Sequence, residues 1–196
     1  MHKSIRILYD EHRSISAVLH GLLALVRAAK NPAVQPEFAV FHAMIHYIDA
    51  FPERLHHPKE DQFLFARLAE RSPEAVPLVN ELRAEHVRGA KLVRDLEAAL
   101  IAYEVNGERR LPEFEASAEA YSRFHWDHMT KEEKRLIPLA ERALKPEDWK
   151  VIDAAFEGNE DPISDLREKD FHALYQRILT LAPDPVGLGK RWQRTR

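Results

Sequence analysis

A histidine and a carboxylate four residues apart, His56 and Glu60, recur 72 residues later as His128 and Glu132. Their neighbours recur with them, Lys59 and Asp61 matched by Lys131 and Glu133. Four residues make about one helical turn, so each pair points one way from a helix. A second echo, Glu11-His12 against Glu85-His86, is spaced by 74 residues. The chain reads as two copies of a helical unit, each a lone histidine followed by His-x-x-x-Glu. Two such halves facing each other would bring four histidines and two carboxylates to one point, which restricts the fold to helices sharing an interior.

The apolar spacing puts these groups in that interior. Ile5, Leu8, His12, Ile15, Leu19, Leu22 and Val26 alternate at three and four residues, a first helix with His12 inside its apolar stripe. Asn31-Pro32 ends it and Pro36 opens a second helix, expected to run to Arg71. At about 100° per residue, Phe38, Ile45, Asp49, Pro52, His56 and Phe63 share one face, with His42 and Glu60 on its shoulder. Proline costs about 3 kcal/mol in a regular helix interior, so Pro52 and Pro58 predict a kink or local irregularity beside His56. Ser72-Pro73-Glu74 reads as a helix start with a capping hydroxyl. The third helix carries Val79, Leu82, His86, Gly89, Val93, Leu96, Leu100 and Tyr103 in its stripe and closes at Asn106-Gly107. Gly89 leaves room for a close approach. A fourth helix, from about Pro112 to Leu144, sends Phe114, Tyr121, His125, His128, Glu132 and Leu139 inward.

Short connections force neighbouring helices to be antiparallel, so the expected fold is all-α, an up-down-up-down four-helix bundle over residues 1–145 with a C-terminal helical extension. Residues 146–182 form an accessory hairpin in this reading, from Pro146–Phe156 and Ser164–Leu181, packed on the bundle or on a dimer partner. Residues 183–196 form a basic, mobile tail.

The absence of cysteine excludes disulfides, thiolate metal sites and cysteine nucleophiles. A net charge of -3 gives no bulk attraction to nucleic acid or anionic membrane. The most apolar run, Ala17–Ala29, contains His20 and Arg27 and is too short to span a bilayer. A cytoplasmic protein with neither nucleic-acid nor membrane partner is expected. Unpaired imidazoles and carboxylates are costly in a core, and a metal satisfies several at once. Nitrogen and oxygen donors without sulfur suit iron, manganese or zinc, and two bridging carboxylates in a helical bundle favour a dinuclear centre. The candidate ligands are His12, His56, Glu60, His86, His128 and Glu132. Glu132 is preferred to Glu133 because the repeat matches it to Glu60. His125 is a further candidate. His57, turned about 100° from His56, is assigned to an outer layer or the surface. His42 and His46 are grouped with Asp49 and Glu53 in a polar layer, Tyr9 and Tyr121 are read as core aromatics, and Trp126 as packing that faces away from His128.

His12, His56-x-x-x-Glu60, His86 and His128-x-x-x-Glu132, with His56-His57-Pro58-Lys59-Glu60-Asp61 followed by Phe63-Leu64-Phe65, resemble the hemerythrin-like, or HHE cation-binding, domain of bacterial type. The resemblance covers residues 1 to about 145. It implies two iron ions, one nearer each half, bridged by Glu60, Glu132 and an oxo or hydroxo group, with zinc or manganese as second choices. It implies a protein that binds, senses or reacts with a small oxidant such as oxygen, peroxide or nitric oxide; the homodimer contact through the C-terminal helices is expected from their apolar face and not from the resemblance. Oxygen-carrying members have a further histidine one turn from the one on the third helix, where this chain has Leu82 and Ala90. With two histidines per iron and shared carboxylates, each metal keeps room for solvent and a small molecule, which suits a sensor or reactive centre. A di-iron oxidase, peroxidase or iron-centre repair protein is the enzyme alternative, distinguished by turnover with a reductant. A zinc-binding or metal-free helical interaction module is the structural alternative, distinguished by metal analysis.

Overall fold

The computed structural model describes residues 1–157 together with Ile178, Thr180 and Ala182. Among the described residues all regular structure is helical. The first helix, α1, spans Lys3–Ala29. The second expected helix is a continuous rod of alternating winding. It runs through α2 (Phe38–Ile48), a π-helical stretch Asp49–His56, α3 (His57–Lys59), a second π stretch Glu60–Phe65, and α4 (Ala66–Arg71). A 3-10 turn, Pro73–Ala75, leads into α5 (Val76–Asn106). Another, Glu108–Arg110, leads into α6 (Leu111–Lys131), which continues through a π stretch Glu132–Leu136 into α7 (Ile137–Ala143). The helix α8 spans Pro146–Glu157.

The irregularity expected from Pro52 and Pro58 is this π winding. Proline cannot donate to the carbonyl one turn back, and its ring crowds that carbonyl. A wider i→i+5 turn relieves both, and such turns concentrate at functional sites. Pro52 lies inside the first stretch, Pro58 lies between the first two, and Pro138 sits just beyond the third.

Helix α1 packs on α2 and α6, and α5 packs on the same two. Their shared interior is two apolar clusters rather than one. One holds Leu19, Leu22, Phe41, Ile48, Leu96 and Phe114. The other holds Leu8, Leu64, Phe65, Leu82, Leu136 and Ile152. Three rods cross from one cluster to the other at a histidine: His12 falls between Leu8 and Ile15, His56 between Leu55 and Leu64, His86 between Leu82 and Val93, while the fourth crosses at Glu132, between Met129 and Leu136. The polar groups therefore form a layer inside the core, with dry packing on both sides to exclude water and fix it.

Helix α8 closes the second cluster over α1. Asp153 accepts from the Ser4 hydroxyl at 2.6 Å and backbone N–H at 2.8 Å, and Asp148 takes both ends of the Arg71 guanidinium at 2.8 and 2.9 Å. Trp149 stacks on His2 at 4.0 Å. The expected helix Ser164–Leu181 and the tail 183–196 lie largely outside the described residues. Ile178 and Ala182 are buried against the first cluster of this chain.

Two local expectations change. The Ser72 hydroxyl makes no cap, although its carbonyl accepts from Ala75 N–H at 3.0 Å as an N-cap residue's does. The second rod starts at Phe38, after Glu37 in extended backbone, rather than at Pro36. The end at Asn106-Gly107 stands: Gly107 has φ 74° and ψ -164° and its N–H returns to the Tyr103 carbonyl at 2.8 Å. That conformation is nearly closed to residues with a Cβ, and no other atom lies within 4 Å of the position one would take. Gly107→Ala should therefore cost roughly 1–3 kcal/mol through the backbone alone. A thermal midpoint equal to wild type would show that the helix end relaxes freely.

Candidate metal centre

Glu60 and Glu132 are fully buried and lie between two pairs of histidines. One oxygen of Glu60 lies 3.6 Å from His56 Nε2, and the other 3.5 Å from His86 Nε2. Glu132 divides the same way. Its Oε2 is 3.3 Å from His12 Nε2, while its Oε1 is 3.2 Å from His128 Nε2 and 3.8 Å from His86 Nε2. His86 and His128 face each other through Nε2 atoms 3.1 Å apart. Donors about 2.0–2.2 Å from one metal ion stand roughly 3–4 Å from each other, so these spacings fit coordination.

The unmet groups fit it too. His12 Nε2, His56 Nε2 and all four carboxylate oxygens of Glu60 and Glu132 are buried without a hydrogen-bond partner. Six converging orphans are too costly to be packing alone. Two overlapping sets of donors, His12–His56–Glu60–Glu132 and His57–Glu60–His86–His128, lie close enough for a cation each.

The other ring nitrogen of each histidine faces a carboxylate, the arrangement that fixes a metal-binding tautomer. His12 Nδ1 lies 2.9 Å from Glu133, His56 Nδ1 2.7 Å from Glu11, His86 Nδ1 3.1 Å from Asp61 and His128 Nδ1 3.0 Å from Glu85. The duplication is visible here: each lone histidine is held by the acid following the other half's glutamate, and each His-x-x-x-Glu histidine by the acid preceding its own half's lone histidine. Glu132 thus takes the central position that matches Glu60, and Glu133 stands outside it against the far edge of His12.

Burial alone would drive protons off these rings, yet the facing carboxylates prevail. The pKa of His12 rises to about 10, of His86 to about 12 and of His128 to about 9. Burial likewise opposes the charge of Glu132, but His128, His12 and His86 hold its carboxyl well below the usual range. A cation entering here displaces protons from the same nitrogens.

Several residues stand elsewhere than expected. Of the outer layer and the surface expected for His57, the surface is ruled out: it is 4% accessible and stacks on His86 with ring centres 4.1 Å apart. The 100° step used for it belongs to an α-helix, whereas the π turn ending at His56 packs more residues per turn and so rotates less between neighbours. Glu53 leaves the expected polar layer as well. It faces inward, accepting from Tyr121 OH at 3.0 Å and from His125 Nε2 at 3.2 Å, with His57 Nδ1 at 3.3 Å. Burial lowers the pKa of both His57 and His125, so neutral rings face an ionised Glu53. His42 instead meets Glu104 at the surface, and Asp49 pairs with Arg54. Tyr121, read as a core aromatic, is buried but anchors Glu53 through its hydroxyl.

A surface cleft of about 610 Å³ opens at His12, lined also by His20, Trp126, Met129 and Glu133. Trp126 is half-buried against His20, ring centres 4.5 Å apart. The cleft reaches the outer side of His12, whose Nε2 stays buried.

Comparison with protein families matches residues 3–140 to the hemerythrin HHE cation binding domain. No curated protein matches the chain.

Proposed function

The chain belongs to the hemerythrin HHE cation-binding family, and we propose that it holds two iron ions between Glu60 and Glu132 and binds, senses or reacts with a small oxidant there. His12 and His56 would ligate one ion, His86 and His128 the other, with an oxo or hydroxo bridge completing the pair and zinc or manganese as second choices. The observation that carries this reading is the division of both carboxylates: each offers one oxygen to each histidine pair and has no hydrogen-bond partner. When bound, the metal pair supplies electrons and open positions for oxygen, peroxide or nitric oxide. The chain's own contribution is to fix the imidazoles through Glu11, Asp61, Glu85 and Glu133, to keep the layer dry between two apolar clusters, and to leave a cleft against the outer side of His12.

The ring of contacts from α1 to α2, α5 and α6, with short connections, supports an antiparallel up-down-up-down bundle over residues 1–145. Residues 146–182 would then be an accessory unit that offers a homodimer contact. No helix among the described residues is long and apolar enough to cross a membrane; a reducing compartment such as the cytoplasm is proposed, which fits a chain without cysteine. Metal analysis of the protein as isolated, with optical spectra before and after anaerobic reduction, tests the proposal. Close to two irons per chain and an oxo-bridge absorption that bleaches on reduction are expected; zinc alone would overturn it.

A further inference from the structure

We propose that His57 is a fifth imidazole donor, so that the two metal positions are unequal: His57, His86 and His128 serve one, His12 and His56 the other. The inference rests on the dinuclear reading above.

Three observations carry it. His57 belongs to one of the two sets of donor atoms close enough to share a cation, with Glu60, His86 and His128. Its Nδ1 faces Glu53 at 3.3 Å, as the Nδ1 of each of the other four histidines faces its own carboxylate. That leaves Nε2 as the nitrogen for a metal, as in the others. Third, Glu53 is itself prepared for the task, held by Tyr121 and His125 against Gly89, where an added Cβ would stand 2.9 Å from its Oε1 and push the carboxylate aside.

The duplication shows where the inequality enters. Shifted by 72 residues, His57 corresponds to Met129 and Glu53 to His125. The two halves agree at every donor and at every acid that supports one, and part company at these two positions. His125 is thereby available to brace Glu53 from across the interior. On the opposite side, Met129 lines the cleft beside His12, where a sixth imidazole would otherwise be expected. One position is closed by protein, and the other is left to face the cleft.

The test is metal uptake, measured by chelator competition with iron(II) and with zinc(II) as a non-redox probe, on wild type, His57→Ala, Glu53→Gln and the exposed control His46→Ala. Wild type and His46→Ala should take up two ions. His57→Ala should keep one at near wild-type affinity and bind the other at least 100-fold more weakly, and Glu53→Gln should weaken the same ion by 10–100-fold. Two ions at wild-type affinities in a folded His57→Ala protein overturn this inference and leave the dinuclear reading intact. No uptake by wild type overturns both. Should His57→Ala fail to fold, the imidazole nitrogen-15 spectrum of zinc-loaded wild type decides: a metal-bound signature on five histidines supports the inference, and on four overturns it.

Discussion

Replacing Glu60 and Glu132 together by glutamine should leave a folded helical protein with almost no bound metal. Both carboxylates lie against histidines of the two halves, so the double change removes both of these shared negative donors while preserving side-chain shape. The loss exceeds the roughly 10–100-fold that follows from disturbing a supporting residue, because donors themselves are altered. The single variants should differ. Glu132 contacts His12, His86 and His128, whereas Glu60 contacts His56 and His86, so Glu132→Gln should be the more damaging. Metal content after desalting, with far-UV circular dichroism to confirm the helices, measures this. Two ions retained in the double variant would place the metal elsewhere.

The parts of the site legible in the sequence are those that obey a plain period. His12 and His86 interrupt three-four apolar stripes, and His56/Glu60 and His128/Glu132 repeat at one turn, so their meeting follows from helices packed on a common interior. The acids that support the rings were legible as pattern but not as roles: Glu11 and Glu85, Asp61 and Glu133 are all duplicated, yet each serves a histidine that is not its sequence neighbour. Only packing across the interior pairs Glu133 with His12 and Asp61 with His86. Glu132 could be chosen over Glu133 because the repeat carries register. The inward position of His57 is not legible from an α-helical step of about 100° across Pro52 and Pro58, and that of Glu53 is hidden by its place among the polar residues His42, His46 and Asp49. Those prolines announced an irregularity without saying that it would be a π turn, and that winding lets His57 face the interior beside His56. The notch at Gly89 was legible as close approach, though the group that fills it is a carboxylate.

Stripping the metal should lower the thermal midpoint, and the gap between loaded and stripped protein should widen as pH rises. In the stripped protein His12, His86 and His128 have pKa values raised to about 10, 12 and 9, against about 6.5 when unfolded. Below pH 6.5 both states carry these protons and the stabilisation is complete. Above it the folded state holds protons the unfolded chain has released, so stability falls with rising pH, by up to about 1.4 kcal/mol per pH unit for each such proton, until the folded pKa values are passed. Glu132 acts at the other end: its depressed pKa stabilises above the ordinary carboxylate range and is lost as pH falls through the folded value. Loaded protein has metal where those protons were, and loses less on the alkaline side. A metal present at about 1,000 times its dissociation constant adds roughly 4 kcal/mol, and a chain of this size gains about 2–4 °C per kcal/mol. The gap near neutrality should therefore be on the order of 10 °C, and larger at pH 9 than at pH 6. Melting curves of both forms at pH 6, 7.5 and 9 measure it, and a gap that stays constant across that range would mean that metal and protons do not compete for the same nitrogens.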